Sequence, residues 1–140
     1  MPTLSRFSRA ERLALATAAL SLVHHIDHGL RVDHGWPFRA EVTPFTYSLL
    51  VYAIVAVILR ARGWPRLRIG LSAMLALFPT LAHAWLESPS AQYVTWAARP
   101  EANWLGVSSP ILGVAAVLVT VLLPLSAAGV FVAFVRSRGV

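Results

Sequence analysis

Four long apolar segments constrain the fold of this chain more than any other feature. They run over about residues 9–30, 44–61, 67–87 and 110–135. A helix needs about 20 apolar residues to cross the hydrocarbon core of a bilayer, and each segment has or approaches that length. Charged residues make up 13% of the chain, whereas a soluble domain carries about 25%. We therefore expect an all-α fold, an integral membrane four-helix bundle formed by the whole chain as one domain.

The arginines divide unequally between the two ends of this expected bundle. Nine lie beside the N-terminus, the second connection and the C-terminus: Arg6, Arg9, Arg12, Arg60, Arg62, Arg66, Arg68, Arg136 and Arg138. Cytoplasmic loops of membrane proteins carry the excess of basic residues. We therefore expect a multi-pass protein of the bacterial inner membrane with both termini in the cytoplasm. Residues 6–23 also resemble a signal peptide, whose cleavage would leave three spans.

A cluster of ionisable residues occupies the outer end of the first span. Residues 24–34 read HHIDHGLRVDH. Ionisable side chains are costly to place in a bilayer, so they usually mark a functional site. Because successive residues on a helix turn by about 100°, His24, Asp27 and His28 share one face of the span.

Depth along the helices brings a second segment to the same level. At about 1.5 Å of rise per residue, His28 lies about 24 Å from Arg12 and His83 lies about 22 Å from Arg68. Both arginines are expected at the cytoplasmic edge, and the first and third spans run in the same direction. We therefore predict that the imidazoles of these two spans meet in one outward-facing pocket.

Imidazoles and carboxylates at one level are typical of a transition-metal site. Zn²⁺ and non-haem iron both accept these ligands, so we predict a metal bound by His24, His28, His83 and Glu87. A metal with an open position would activate water for hydrolytic or redox chemistry on a lipophilic substrate. Asp27 and Glu87 are then the predicted catalytic carboxylates, either as general base or as a group that orients a ligand.

Three other interpretations of this cluster stay open. The cluster is a structural hydrogen-bond network in a non-catalytic subunit, it supplies axial histidines to haem b, or it handles protons. The sequence does not decide whether the protein is an enzyme. The expected partners are the lipid bilayer, a lipophilic small molecule, and further copies or other subunits of a membrane complex. No nucleic acid is expected, because no basic patch is interleaved with aromatic residues.

Residues 88–109, between the third and fourth spans, are expected to form a long outer loop. Pro89, Pro100, Gly106 and Ser108 are typical of irregular structure. Loops longer than about 12–15 residues tend to be functional. We therefore expect this segment to fold over the outer mouth of the pocket as a lid.

Overall fold

The computed structural model describes residues 7–31, 44–85 and 88–137, and within these ranges the fold is all-α. Its helices, in chain order, are α1 (Arg9–Leu30), α2 (Pro44–Ser48), α3 (Leu50–Arg60), α4 (Pro65–Trp85), α5 (Pro89–Ala98) and α6 (Pro110–Arg136), with a 3₁₀ turn at Pro100–Ala102. The first and last apolar segments correspond closely to α1 and α6. A turn at Leu49 divides the second segment into α2 and α3.

Serine caps begin the two longest helices. The hydroxyl of Ser8 accepts a hydrogen bond from the N–H of Glu11 at 3.2 Å, and the N–H of Ser8 donates to Oε2 of Glu11 at 2.8 Å. This reciprocal pair is a capping box. At α6, Ser109 accepts from the N–H of Leu112 at 3.3 Å and Pro110 follows in the first turn. Proline suits this position because its missing N–H would have no partner there.

A helix occupies the first half of the loop expected over residues 88–109. The hydroxyl of Ser88 accepts from the N–H of Ala91 at 3.3 Å, and Pro89 occupies the first turn of α5. Pro89, which the sequence suggested as a break after the third apolar segment, is therefore the start of α5. α5 packs against α6, so the first half of this segment lies on the bundle.

α6 is the packing centre of the molecule. α1, α4 and α5 all pack against it, and α3 packs against α1 and α4. Ala14 and Ala127 are fully buried in the apolar core that these helices share, together with Val130 and Ile58. Small side chains at such contacts let helix backbones approach closely.

Glu11 joins three helices at one end of the bundle. Its Oε1 accepts from Nε of Arg62 at 3.0 Å and from Nη2 of Arg68 at 2.9 Å. The Arg68 guanidinium lies 4.3 Å from the ring centroid of Phe134. The start of α1, the start of α4 and the end of α6 therefore meet at this end, which we call the arginine end. α1 and α4 accordingly run in the same direction away from it.

Much of the surface of this bundle is apolar. Within the described ranges, α4 and α6 are the two helices long and apolar enough to cross a membrane, judged by length and composition only. Their exposed side chains include Trp85 at 81% and Ile111 at 80% exposure. α1 has 22 residues, but its histidines and Asp27 lower its hydropathy, which is why it falls outside this group.

Candidate functional site

A buried polar stripe runs along α1. The buried positions recur every three or four residues, which places them on one helix face: Thr17, Ser21, His24, His28 and Arg31. The opposite face exposes large apolar side chains, Leu22, Val23 and Ile26. This arrangement inverts that of a helix on a soluble protein, which turns its apolar stripe inward.

Three histidines from two helices converge at the end of the bundle remote from Glu11, which we call the histidine end. Nε2 of His24 and Nε2 of His28 are 3.0 Å apart. The His83 ring, carried by α4, contacts His24 edge to face with 4.8 Å between ring centroids. The structure thus brings together the imidazoles that the depth argument placed at one level. His24 and His28 are both buried, and His83 is half-buried.

Of the two predicted catalytic carboxylates, only Asp27 lies within the described residues. Glu87, also a predicted metal ligand, lies outside the described residues. Asp27 accepts a hydrogen bond from Nε1 of Trp96 at 2.6 Å through Oδ1, and its Oδ2 lies 3.1 Å from Nη2 of Arg31. Arg31 is buried, so Asp27 neutralises a cation inside the bundle. Both contacts suit a residue that positions its neighbours, and a catalytic role for Asp27 stays a prediction.

α5 and the turn after it cover the histidine end. Besides the contact of Trp96 with Asp27, the N–H of Trp104 donates to the carbonyl of Leu30 at 2.9 Å. Asn103 pairs with Arg31 in an isolated bridge. The end of α1 is therefore enclosed by residues of the 88–109 segment, the position in which a lid was expected. Its function as a lid stays a prediction.

The other face of His24 is held by α6 and α5. Nδ1 of His24 lies 3.5 Å from the hydroxyl of Thr120, which donates to Oε1 of Gln92 at 2.6 Å. All three side chains are buried. A hydroxyl that gives its proton to an amide oxygen presents lone pairs to the imidazole, so this contact suits the tautomer of His24 that carries its proton on Nδ1. Sequence reasoning missed this contact, although Thr120 stands in an otherwise apolar stretch of α6.

His25 makes a separate polar contact with α2 and α3. Its Nδ1 lies 2.7 Å from the hydroxyl of Tyr52, and its Nε2 lies 2.7 Å from the hydroxyl of Ser48. Sequence reasoning missed the pairing of Tyr52 with His25. The ring centroids of His24 and His25 are 6.1 Å apart. The two adjacent residues therefore contact different partners: His24 contacts His28, and His25 contacts Ser48 and Tyr52.

The histidine cluster has the ligand chemistry of a transition-metal site. Two nitrogens bound to one tetrahedral Zn²⁺ at about 2.0–2.1 Å would be about 3.3 Å apart, close to the separation of the two Nε2 atoms. Among residues 7–31, 44–85 and 88–137, no group of three or more His, Asp or Glu side chains is already arranged to hold a metal ion. A third ligand from His83 therefore needs its ring to turn from the present edge contact.

Comparisons with known proteins found no relative of this chain. No protein-family model matches the chain. No curated protein and no solved structure matches it either.

Proposed function

We propose that this chain is a four-span inner-membrane protein with both termini in the cytoplasm, whose histidine end binds a transition metal ion. The membrane part rests on the inverted distribution of side chains. Arg31 and three imidazoles lie inside the bundle, while leucines, valines and Trp85 lie outside. A surface that exposes so many large apolar side chains is typical of contact with lipid. Fusions of a reporter to either end, active only in the cytoplasm, test the orientation.

The separation of 3.0 Å between Nε2 of His24 and Nε2 of His28 carries the metal proposal. Two aromatic nitrogens approach so closely either by sharing a proton or by sharing a cation. With the proton of His24 on Nδ1, the tautomer that lets this nitrogen donate to Thr120, the Nε2 lone pair of His24 faces this point. His83 supplies the third imidazole, and Glu87 is the proposed fourth ligand. Zn²⁺ or Fe²⁺ suits such a ligand set.

A metal held by histidines supplies Lewis acidity or, with iron, electrons at the boundary between water and lipid. The residues of the chain hold and orient it. Gln92 and Thr120 fix His24, Asp27 fixes the end of α1 through Arg31, and α5 limits access of water. The substrate that reaches such a pocket from the bilayer is a lipophilic small molecule.

Elemental analysis of protein purified without chelator and without a polyhistidine tag tests the metal proposal. We expect about one equivalent of Zn or Fe per chain, lost in His28→Ala and in His83→Ala. His34→Ala is the matched control, since His34 is not among the proposed ligands, and it keeps the metal. Absence of stoichiometric metal from the wild-type protein, also after incubation with Zn²⁺ or Fe²⁺, would refute the proposal.

A structural network in a non-catalytic subunit is the second candidate. It is favoured by the number of helices that α1 reaches through polar side chains: α3 through His25, α5 through Asp27 and α6 through Thr17. If no metal is ever found and His28→Ala lowers the thermal stability, this candidate is supported instead. Haem between His24 and His83 is disfavoured by their ring contact, and an absorbance scan for a Soret band tests it in the same sample.

A further inference from the structure

Ser48, His25 and Tyr52 form a hydrogen-bonded chain apart from the three clustered histidines. His25 is 5% exposed, and each of its ring nitrogens lies 2.7 Å from a hydroxyl oxygen. Ser48 ends α2 and Tyr52 lies in the first turn of α3, so the helix break at Leu49 lies between the two hydroxyls. The two helices together present both hydroxyls to one face of α1.

A neutral imidazole has one N–H and one lone pair, so it joins two hydroxyls in a directed way. With the proton on Nδ1, His25 donates to the oxygen of Tyr52 and accepts the proton of Ser48 at Nε2. Both distances fall within the range of about 2.6–3.2 Å expected for a nucleophile, its base and the group that orients the base. The order of contacts is that of serine hydrolases, with a tyrosine hydroxyl as the orienting group.

We propose that Ser48 is a nucleophile activated by His25, and that it cleaves lipophilic carboxylic esters. This activity goes beyond the metal site and does not depend on it. Ser48 is half-buried, while its neighbours Tyr47 and Leu50 are each 57% exposed on the outer surface of the bundle. A substrate chain that lies on this apolar surface brings its carbonyl carbon to the hydroxyl of Ser48.

The reaction needs no oxidant and only water as co-reactant. Oγ of Ser48 forms a bond to the acyl carbon while its proton passes to Nε2 of His25. The ester C–O bond then breaks, and the alcohol leaves with that proton. Water next attacks the acyl group on Ser48 and gives a proton to His25, which returns it to Ser48 as the carboxylic acid departs. The hydroxyl oxygen of Tyr52 accepts a hydrogen bond from the Nδ1–H of His25 throughout and keeps the ring aligned.

A fluorophosphonate probe tests the proposal on the full chain in lipid nanodiscs. The serine oxygen displaces fluoride from phosphorus, so labelling reports the nucleophile without knowledge of the substrate. We expect labelling of the wild-type protein that tandem mass spectrometry assigns to Ser48. Ser48→Ala abolishes this adduct, while Ser90→Ala, which alters an exposed serine on α5, leaves it unchanged.

The partners of Ser48 supply the mechanistic readout. Because a general base contributes about 10²–10⁴-fold, His25→Gln lowers the labelling rate at Ser48 by about 10²-fold or more. Tyr52→Phe removes only the orienting oxygen, so it lowers the labelling rate at Ser48 less than His25→Gln does. Wild-type protein that is folded but unlabelled overturns the proposal, as does labelling at another serine or an unchanged rate in His25→Gln. The metal content of Ser48→Ala stays that of the wild type, so failure of this proposal is distinguishable from failure of the metal site.

Discussion

The contact between α5 and α6 is so close at Gly113 that a single methyl group there tests the packing. A Cβ at this position would lie 2.8 Å from Cδ2 of Tyr93 and 2.9 Å from the carbonyl oxygen of Tyr93. The carbonyl contact is about 0.5 Å shorter than ordinary van der Waals contact. Because that oxygen belongs to the backbone, Gly113→Ala forces α5 as a whole away from α6.

The expected free-energy change follows from two opposed effects. Overpacking of a close contact costs about 1–3 kcal/mol. Alanine in place of glycine inside a helix gains about 1 kcal/mol. Gly113→Ala should therefore lower the free energy of unfolding by up to about 2 kcal/mol, with most of the disturbance at α5.

Gly129→Ala is the matched control within the same helix. A Cβ there would have only Cδ1 of Leu13 nearby, at an ordinary distance of 3.8 Å. This variant keeps the gain in helix propensity without the clash, so it should be as stable as the wild type or about 1 kcal/mol more stable.

Denaturant unfolding in detergent, followed by tryptophan fluorescence, measures both glycine variants. Tyr93→Ala should rescue Gly113→Ala only in part, because it removes the ring but leaves the carbonyl oxygen in place. If Gly113→Ala proves as stable as Gly129→Ala, the close approach of α5 to α6 is refuted.

Two buried ion pairs give further predictions, each measured by the same unfolding assay. Asp27→Asn should cost about 3 kcal/mol, because it removes the negative charge 3.1 Å from the buried guanidinium of Arg31 while the bond from the indole is kept. The exposed Glu101 is its control, and Glu101→Gln should change stability by no more than about 0.5 kcal/mol; equal effects would contradict burial of the first pair. Glu11→Gln should cost about 1–3 kcal/mol, because Arg68 loses a charged acceptor at the arginine end, and an unchanged midpoint would contradict that contact.

Segment length, apolar composition and depth along the helices predicted the all-α fold and the approach of His83 to the histidines of α1. The apolar segments lie within about two residues of α1, α4 and α6, because the run of apolar residues itself limits where each long helix begins and ends. Helix rise alone placed His83 near the level of His28, and the structure puts the His83 ring against His24, one turn away from His28. That argument succeeds because a helix has a fixed length per residue.

The parts that sequence reasoning missed depend on contacts between helices. The prolines of residues 88–109 favoured irregular structure in the sequence analysis. In the structure, Ser88 caps α5 and Pro89 lies in its first turn, so this proline starts a helix. Thr120 and Gln92 became visible as partners of His24 only when α5 and α6 were placed against α1. A hydroxyl in an apolar helix signals some polar contact, but rotation and register, which select the partner, are set by tertiary packing.

The central position of α6 has a consequence for biogenesis. α1, which carries an aspartate and three imidazoles, is synthesised before α6, the helix against which it packs. In the proposed membrane setting, the nascent chain therefore has to keep α1 near the insertion machinery, or in the company of a chaperone, until α6 has emerged. Loss of α6 would leave the polar face of α1 uncovered rather than merely shorten the protein.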